Sequence, residues 1–369
     1  MKIKTITCHD CYNLGASLQA YALQNYLESI GHDVEIINYK PDYLSNHHKL
    51  WIVSNPKFDK LFIKQLYLLA KLPGRLLALK RKKVFDNFTT KYLKLTRRYN
   101  SYEELKNDAP EADCYIAGSD QIWNTLFKNG RDAAFYLDFG NQNTKRISYA
   151  ASFATPEIVP EYREFVKEKL KNIDYISIRE RISLPLLESL ERKDGVAVCD
   201  PVFLLGKYEW DEILNKELSG RVEKRKYVLV YLTDKNFQIE QIARTIKNET
   251  GWSIYSVGAI DSNCADKRYT NASPFDFVRL IRDAEFVISN SFHATAFSLI
   301  MGTKFCVVNR ADAINERMKS ILEDYKLSHR LVSDFNNDLL HELNVEEIDN
   351  CREKIVAFSK AWLNEKLTK

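Results

Sequence analysis

A chain of 369 residues is too long for one ordinary core and suits two domains with a cleft between them. Hydrophobic residues make up 45% and charged residues 28%, with 12 glycines and 9 prolines, which excludes disordered, collagen-like and low-complexity chains. The net charge of +4 is mild, acidic charge elsewhere offsets a basic stretch within 57–98 so that no nucleic-acid partner is expected, and the longest apolar stretches, such as Leu66 to Ala70, are too short to cross a bilayer.

Ile3 to Thr7 reads as a strand rather than as a signal peptide, and His9 to Asn13 as the loop after it. Leu18, Ala22, Tyr26 and Ile30 recur at helical spacing over about Gly15 to Ser29, Gly31 caps the helix, and Val34 to Asn38 begins a strand. This βαβ unit implies a parallel sheet. Cys8, His9, Asp10 and Cys11 look like half of a zinc site, but no second Cys-x-x-Cys accompanies them, so no metal is expected. The stretch from Leu66 to Arg98, inside an insertion at about 55–100, sets Leu76, Leu77, Leu79, Val84 and Phe85 beside Arg75, Lys80, Arg81, Lys82 and Lys83. It reads as a solvated helix packed by its apolar stripe, or as a patch for an anionic membrane surface.

Further strands are expected at Cys114 to Ala117, Ile147 to Ala150, Tyr175 to Ile178 and Val196 to Val198. Each ends in small or polar residues, and ligands of open parallel sheets bind beyond those carboxyl ends. After a charged connection at 206–226, a second α/β unit starts at Tyr227 to Leu232. It continues with a helix over Phe237 to Asn248, a strand over Ser253 to Val257, and a helix opened by Ser273 and Pro274. A strand over Glu285 to Ile288, a helix over about Phe292 to Met301 ended by Gly302, and a strand over Phe305 to Val308 follow. Asn344 and Glu347 resemble a capping box on a last helix, Val345 to Leu367, whose stripe is Ile348, Cys351, Ile355, Phe358 and Trp362. The predicted fold is α/β: two doubly wound, Rossmann-like domains, 1–205 and 227–340, facing a cleft, with the helix at 345–369 packing back across both. Seven scattered cysteines, several inside strands, fit reduced thiols and the cytoplasm.

The segment Ser289, Asn290, Ser291, Phe292, His293 and Ala294 puts a histidine in the first turn of a helix. Free backbone N–H groups and the positive end of the helix dipole favour anions there. Such a histidine donates to a carboxylate or phosphate, exchanges a proton, or merely packs. Arg179, at a strand end, suits two-pronged contact with an anion, in competition with Arg181 and with a simple pairing to Glu180. Asp10, Asn13 and Gln19 surround the first strand–helix turn. Ser119, Asp120, Gln121 and Trp123 surround the end of a later strand. These groups suit sugar hydroxyls, with Trp123 offering a face to a pyranose or packing in the core, and Asp120 a candidate general base.

Six segments in order resemble the polysaccharide pyruvyl transferase family: Asn13 to Leu23, Gly118 to Asn124, Ser148 to Phe153, Ile176 to Glu180, Asp200 to Leu205, and Ser289 to Ala294. They span most of the chain from Asn13 to about Arg330. The resemblance implies a glycosyltransferase-B-like fold and transfer of pyruvate from phosphoenolpyruvate onto a sugar as a cyclic ketal, with no cofactor. It implies that Arg179 holds the donor and that His293 lies near the donor's carboxylate and phosphate, with Ser289, Asn290, Ser291 and Arg317 on the donor side. Some family members carry an arginine two residues before that histidine, where this chain has Ser291; Lys304, Arg310 and Arg317 are the cations able to replace it. Two other readings remain: a nucleotide-sugar-dependent glycosyltransferase, and a non-catalytic membrane-surface binding protein. A lipid-linked acceptor would give the basic stretch at about 66–98 a purpose, with the protein peripheral at the inner face of the membrane.

Overall fold

The structure, a computed structural model, describes residues 1–44, 61–217, 225–260, 262–309 and 316–369. The first part of the chain forms β1 (Lys2–Ile6), α1 (Leu14–Ser29), β2 (Asp33–Tyr39), α2 (Leu61–Tyr92), β3 (Leu95–Tyr99), α3 (Tyr102–Asn107), β4 (Cys114–Ala117), β5 (Lys145–Ala151), α4 (Arg163–Leu170), β6 (Tyr175–Ile178), α5 (Leu184–Glu188) and β7 (Val196–Ala197). After α6 (Lys207–Lys216) come β8 (Tyr227–Tyr231), α7 (Phe237–Thr250), β9 (Ser253–Val257), β10 (Lys267–Tyr269), α8 (Pro274–Arg282), β11 (Phe286–Ser289), α9 (Phe292–Met301), β12 (Phe305–Val308), α10 (Glu316–Asp324), β13 (Leu331–Val332) and α11 (Val345–Thr368).

Local chemistry sets these boundaries. Asn13 Oδ1 accepts from the N–H groups of Gly15 and Ala16 and so starts α1. Ser273 and Asp276 close a reciprocal capping box on α8, with Pro274 in its first turn. β8 is apolar at every position and buried throughout, as a strand covered on both faces requires.

Both sheets are parallel throughout. Their strand orders are β3-β2-β1-β4-β5-β6-β7 and β10-β9-β8-β11-β12-β13. Ile3 pairs with Val34 on one side and Cys114 on the other; Val287 pairs with Leu229 and Phe305. In each sheet the order reverses between the founding strand and its neighbour, β1/β4 and β8/β11. That reversal opens a crevice at the carboxyl ends of those strands.

The two domains share one apolar core. The ring of Tyr21 on α1 lies 5.2 Å from Phe275 on α8, Phe88 on α2 lies 5.1 Å from the same ring, and Trp210 lies 5.1 Å from Phe297 on α9. Aromatic pairs of this kind are worth ~0.5–1.5 kcal/mol each beyond their buried area. α11 adds a strap: Ser359 Oγ accepts from the Cys199 N–H, Asn364 accepts from the Tyr26 hydroxyl, and Arg352 donates to the Leu299 carbonyl.

The structure corrects the sequence reading at the sheet edges. The basic stretch expected to be helical to Arg98 ends its helix at Tyr92, and Leu95–Tyr99 is an edge strand. The short edge strands β10 and β13 were not expected either, because charge and brevity hide a strand's alternation. Residues 55–60 of the expected insertion, 218–224 of the connection, and Arg310 lie outside the described residues. No described helix is long and apolar enough to cross a membrane.

Candidate active site

β6 ends at Ile178 and delivers Arg179 to the rim of the first sheet, where its N–H donates to the Ala151 carbonyl. The guanidinium is buried. Its Nε donates to Glu180 Oε1 at 2.9 Å and its Nη1 to Asp200 Oδ2 at 2.9 Å, with Asp120 Oδ1 at 3.9 Å. Across the cleft it stacks over the ring of Phe292 at 4.2 Å. Burial disfavours its charge, but Glu180, Asp200 and Asp120 outweigh that and raise its pKa. Glu180 is held in turn by the Ser152 hydroxyl at 2.7 Å.

Asp200, fully buried after β7, is the hub. It accepts from the Ser119 hydroxyl at 2.9 Å and from the Val202 N–H at 3.1 Å, and its Oδ2 lies 3.7 Å from His293 Nε2. Burial pushes its carboxyl up, yet His293, Arg179 and the Val202 N–H together pull it well below the usual carboxylate range.

From the second domain, β11 runs through Asn290 and Ser291 into α9. Ser291 occupies the N-cap position but makes no capping bond with its side chain. His293 sits in that turn against α1. A Cβ on Gly15 would fall 2.0 Å from His293 Nδ1, so only glycine allows the two helix N-termini to approach this closely. Nη2 of Arg179 and Nε2 of His293 are buried without a hydrogen-bond partner, which is costly unless a ligand uses them. Backbone strain gathers on the same rim: Tyr12, Asp120 and Ala154 have φ of 55°, 74° and 59°.

Arg179, Asp200, Phe292 and Arg317 help to wall a cavity of about 270 Å³, closed on another side by Lys354, Ile355 and Phe358 of α11. His293 does not line this cavity; it meets the cluster through Asp200. Arg317, on α10, is buried, and with the Gln121 amide oxygen turned toward it both Nη atoms donate to that oxygen at 3.2 and 3.3 Å. Arg181 pairs with Asp324 at the same cavity, where burial raises the Asp324 carboxyl despite its partner.

The cleft therefore gathers Arg179, His293, Asp120, Gln121 and Arg317, with Ser291 at the start of α9. Other expected ligands are placed differently. Trp123 is fully buried, donates its indole N–H to the Phe135 carbonyl and stacks on Tyr136, so it is core and offers no face to a sugar. Gln19 is also fully buried, and its amide donates to Thr7 Oγ1 and the Ala16 carbonyl. Ser119 lies beneath Asp200 and positions it, with no surface for an acceptor. Ser289 donates to the Tyr231 carbonyl, and Asn290 accepts from Thr233 and donates to Asp234; both side chains brace the second domain rather than face a donor. Asp10 is largely covered and pairs with Lys40, while Asn13 is exposed and caps α1. Lys304, before β12, is at the opposite end of its strand and pairs with Glu342, so it cannot replace a cation in the cleft.

Asp200, Gly15 and Phe292 were not singled out from sequence as site residues. Asp200 left one signal, an acidic residue at a strand end beside Pro201. Among the described residues no group of three or more His, Cys, Asp or Glu could hold a metal.

A family model described as polysaccharide pyruvyl transferase matches residues 13–312. No curated protein matches the sequence. Among solved structures, an alpha-glucosyltransferase in complex with UDP and a 13-mer DNA is similar with a TM-score of 0.52 and 10% identity, over 100% of both chains. A putative UDP-N-acetylglucosamine 2-epimerase from Listeria monocytogenes is similar with a TM-score of 0.51 and 9% identity, over 96% of this chain and 90% of that one. At such identities the likeness is one of fold, a GT-B-like pair of Rossmann-like domains.

Proposed function

The chain belongs to the polysaccharide pyruvyl transferase family, and from that premise we propose that it moves pyruvate from phosphoenolpyruvate onto a sugar of a polysaccharide precursor as a cyclic ketal, releasing phosphate. The observation that carries this reading is the cluster in which Arg179, Asp200 and His293 meet across the cleft, with Arg179 Nη2 buried and making no hydrogen bond. The donor brings a carboxylate and a phosphate. Arg179 Nη2, Arg317 and the backbone N–H groups at the start of α9 suit those groups.

Protonated His293 gives or relays a proton to the donor's methylene carbon, which becomes a methyl group. The adjacent carbon becomes oxocarbenium-like, and one sugar hydroxyl attacks it. The second hydroxyl closes the ring as the C–O bond to phosphate breaks. Of the two hydroxyl protons, one leaves on phosphate and the other restores His293. Asp120, 3.9 Å from Arg179, is the group suited to take up a hydroxyl proton in passing. Asp200 positions the imidazole and balances its charge in the protonated form. No cofactor enters these steps. Seven free thiols support a reducing compartment, the cytoplasm, as the place of action.

His293→Ala should lower phosphate release from phosphoenolpyruvate in the presence of acceptor by about 10²–10⁴-fold, with circular dichroism unchanged. A folded variant with near-normal turnover would remove His293 from the mechanism.

A further inference from the structure

The cleft chemistry leaves α2 unexplained. Its two halves behave differently. The carboxyl-terminal half is built into the body: Phe85 and Phe88 are buried, Phe88 packs on Tyr21 and Phe275, and the Tyr92 carbonyl accepts from Gln24. At the junction, Arg81 donates to the carbonyls of Tyr12, in the loop before α1, and Thr270, just after β10. It thereby ties the helix to both domains beside the cleft.

The amino-terminal half turns an apolar face outward. Leu66, Leu69 and Leu76 are 68%, 66% and 50% exposed. At 3.6 residues per turn they fall within about 80° of one another, a single stripe. Lys80 and Lys83 continue that exposed face, while Lys71 is exposed on the opposite side of the helix. From Leu61 to Lys83 the sequence holds Lys64, Lys71, Arg75, Lys80, Arg81, Lys82 and Lys83, and no acidic residue before Asp86.

We infer that this half of α2 docks on an anionic lipid bilayer, leucines in the acyl boundary and lysines at the headgroups. A partner protein of ordinary mixed charge would not call for a run of cations without a single acid, whereas a negatively charged surface does. Stripe and cations together give the two attractions, apolar and electrostatic, that interfacial helices combine. Because Arg81 fastens the helix beside the cleft, docking brings the cleft mouth to the membrane surface. The inference does not depend on the donor.

The test is flotation of the full chain with vesicles of phosphatidylcholine alone, or of phosphatidylcholine and phosphatidylglycerol in equal parts. Binding to the anionic vesicles only, weakened by salt, is expected. Lys80→Glu/Lys83→Glu should weaken it about 100-fold, and Leu66→Ser/Leu69→Ser/Leu76→Ser about tenfold or more, each with an unchanged thermal midpoint. Equal binding of wild type and both variants, or no flotation, overturns the proposal. So does a leucine-dependent dimer in sedimentation without vesicle binding, which would assign the stripe to a second copy of the chain.

Discussion

The rim of the first sheet and the rim of the second, built on the same strand order, present different kinds of group to the cleft. The first presents fixed charges: Arg179 locked between Glu180 and Asp200, and Asp200 itself held by Ser119 and the Val202 N–H. The second presents a helix N-terminus without a side-chain cap, an aromatic face under the guanidinium, and one titratable histidine. The neutral side chains of Ser289 and Asn290 are spent on bracing their own domain. Under the proposed mechanism, the fixed charge sits on one domain and the transferred proton on the other. The two meet where Asp200 reaches His293, where Gly15 lets that ring in, and where Phe292 lies under the Arg179 guanidinium.

Breaking the fixed side should have the largest effect. Asp200→Ala strands the Arg179 charge in a buried site and should cost about 3–5 kcal/mol of stability, measurable by denaturant unfolding, with turnover lost as well. The pH dependence has a definite sign. The native pKa of Asp200 lies below its unfolded value, so its contribution is complete above the ordinary carboxylate range, about pH 4, and disappears as pH falls below it. Wild type should therefore lose stability over that acid range more steeply than Asp200→Asn. Parallel curves would mean that Asp200 carries no such linkage.

A smaller effect sharpens the comparison at its edge. Arg317 comes from the second domain yet brings a cation to the cavity wall beside Gln121, and we propose that it offsets the neutral Ser291. Arg317→Gln should raise the KM for phosphoenolpyruvate by about 10–100-fold, the worth of one charged hydrogen-bonding group, with a modest change in kcat. An unchanged KM would return the donor's charge entirely to Arg179 and α9.

Much of this was legible in the sequence. The strand–helix alternation and the rim at the strand ends could be read from local pattern, which also placed Arg179 and His293 on that rim while leaving their roles open. What could not be read depended on contacts between distant segments. Trp123, following a rim strand, could be read as a sugar platform or as core; only the packing of Tyr136 and Phe153 around it decides for core. Asp200 looked like a strand ending, and its role appears only when β6, β7 and α9 converge on it. Gly15 looked like an ordinary helix start, since a close approach from another domain leaves no trace in local spacing. The edge strands β3, β10 and β13 were hidden because charged, half-exposed strands lack the apolar run that marks the central ones.

The most direct test is calorimetric titration of the purified protein with phosphoenolpyruvate beside a folded Arg179→Ala/His293→Ala variant. Saturable binding to wild type that is lost in the variant is the predicted result. No binding up to about 1 mM donor, the upper end of ordinary substrate affinities, would contradict the proposal, and saturable binding of a nucleotide sugar instead would give the same cleft to a glycosyltransferase.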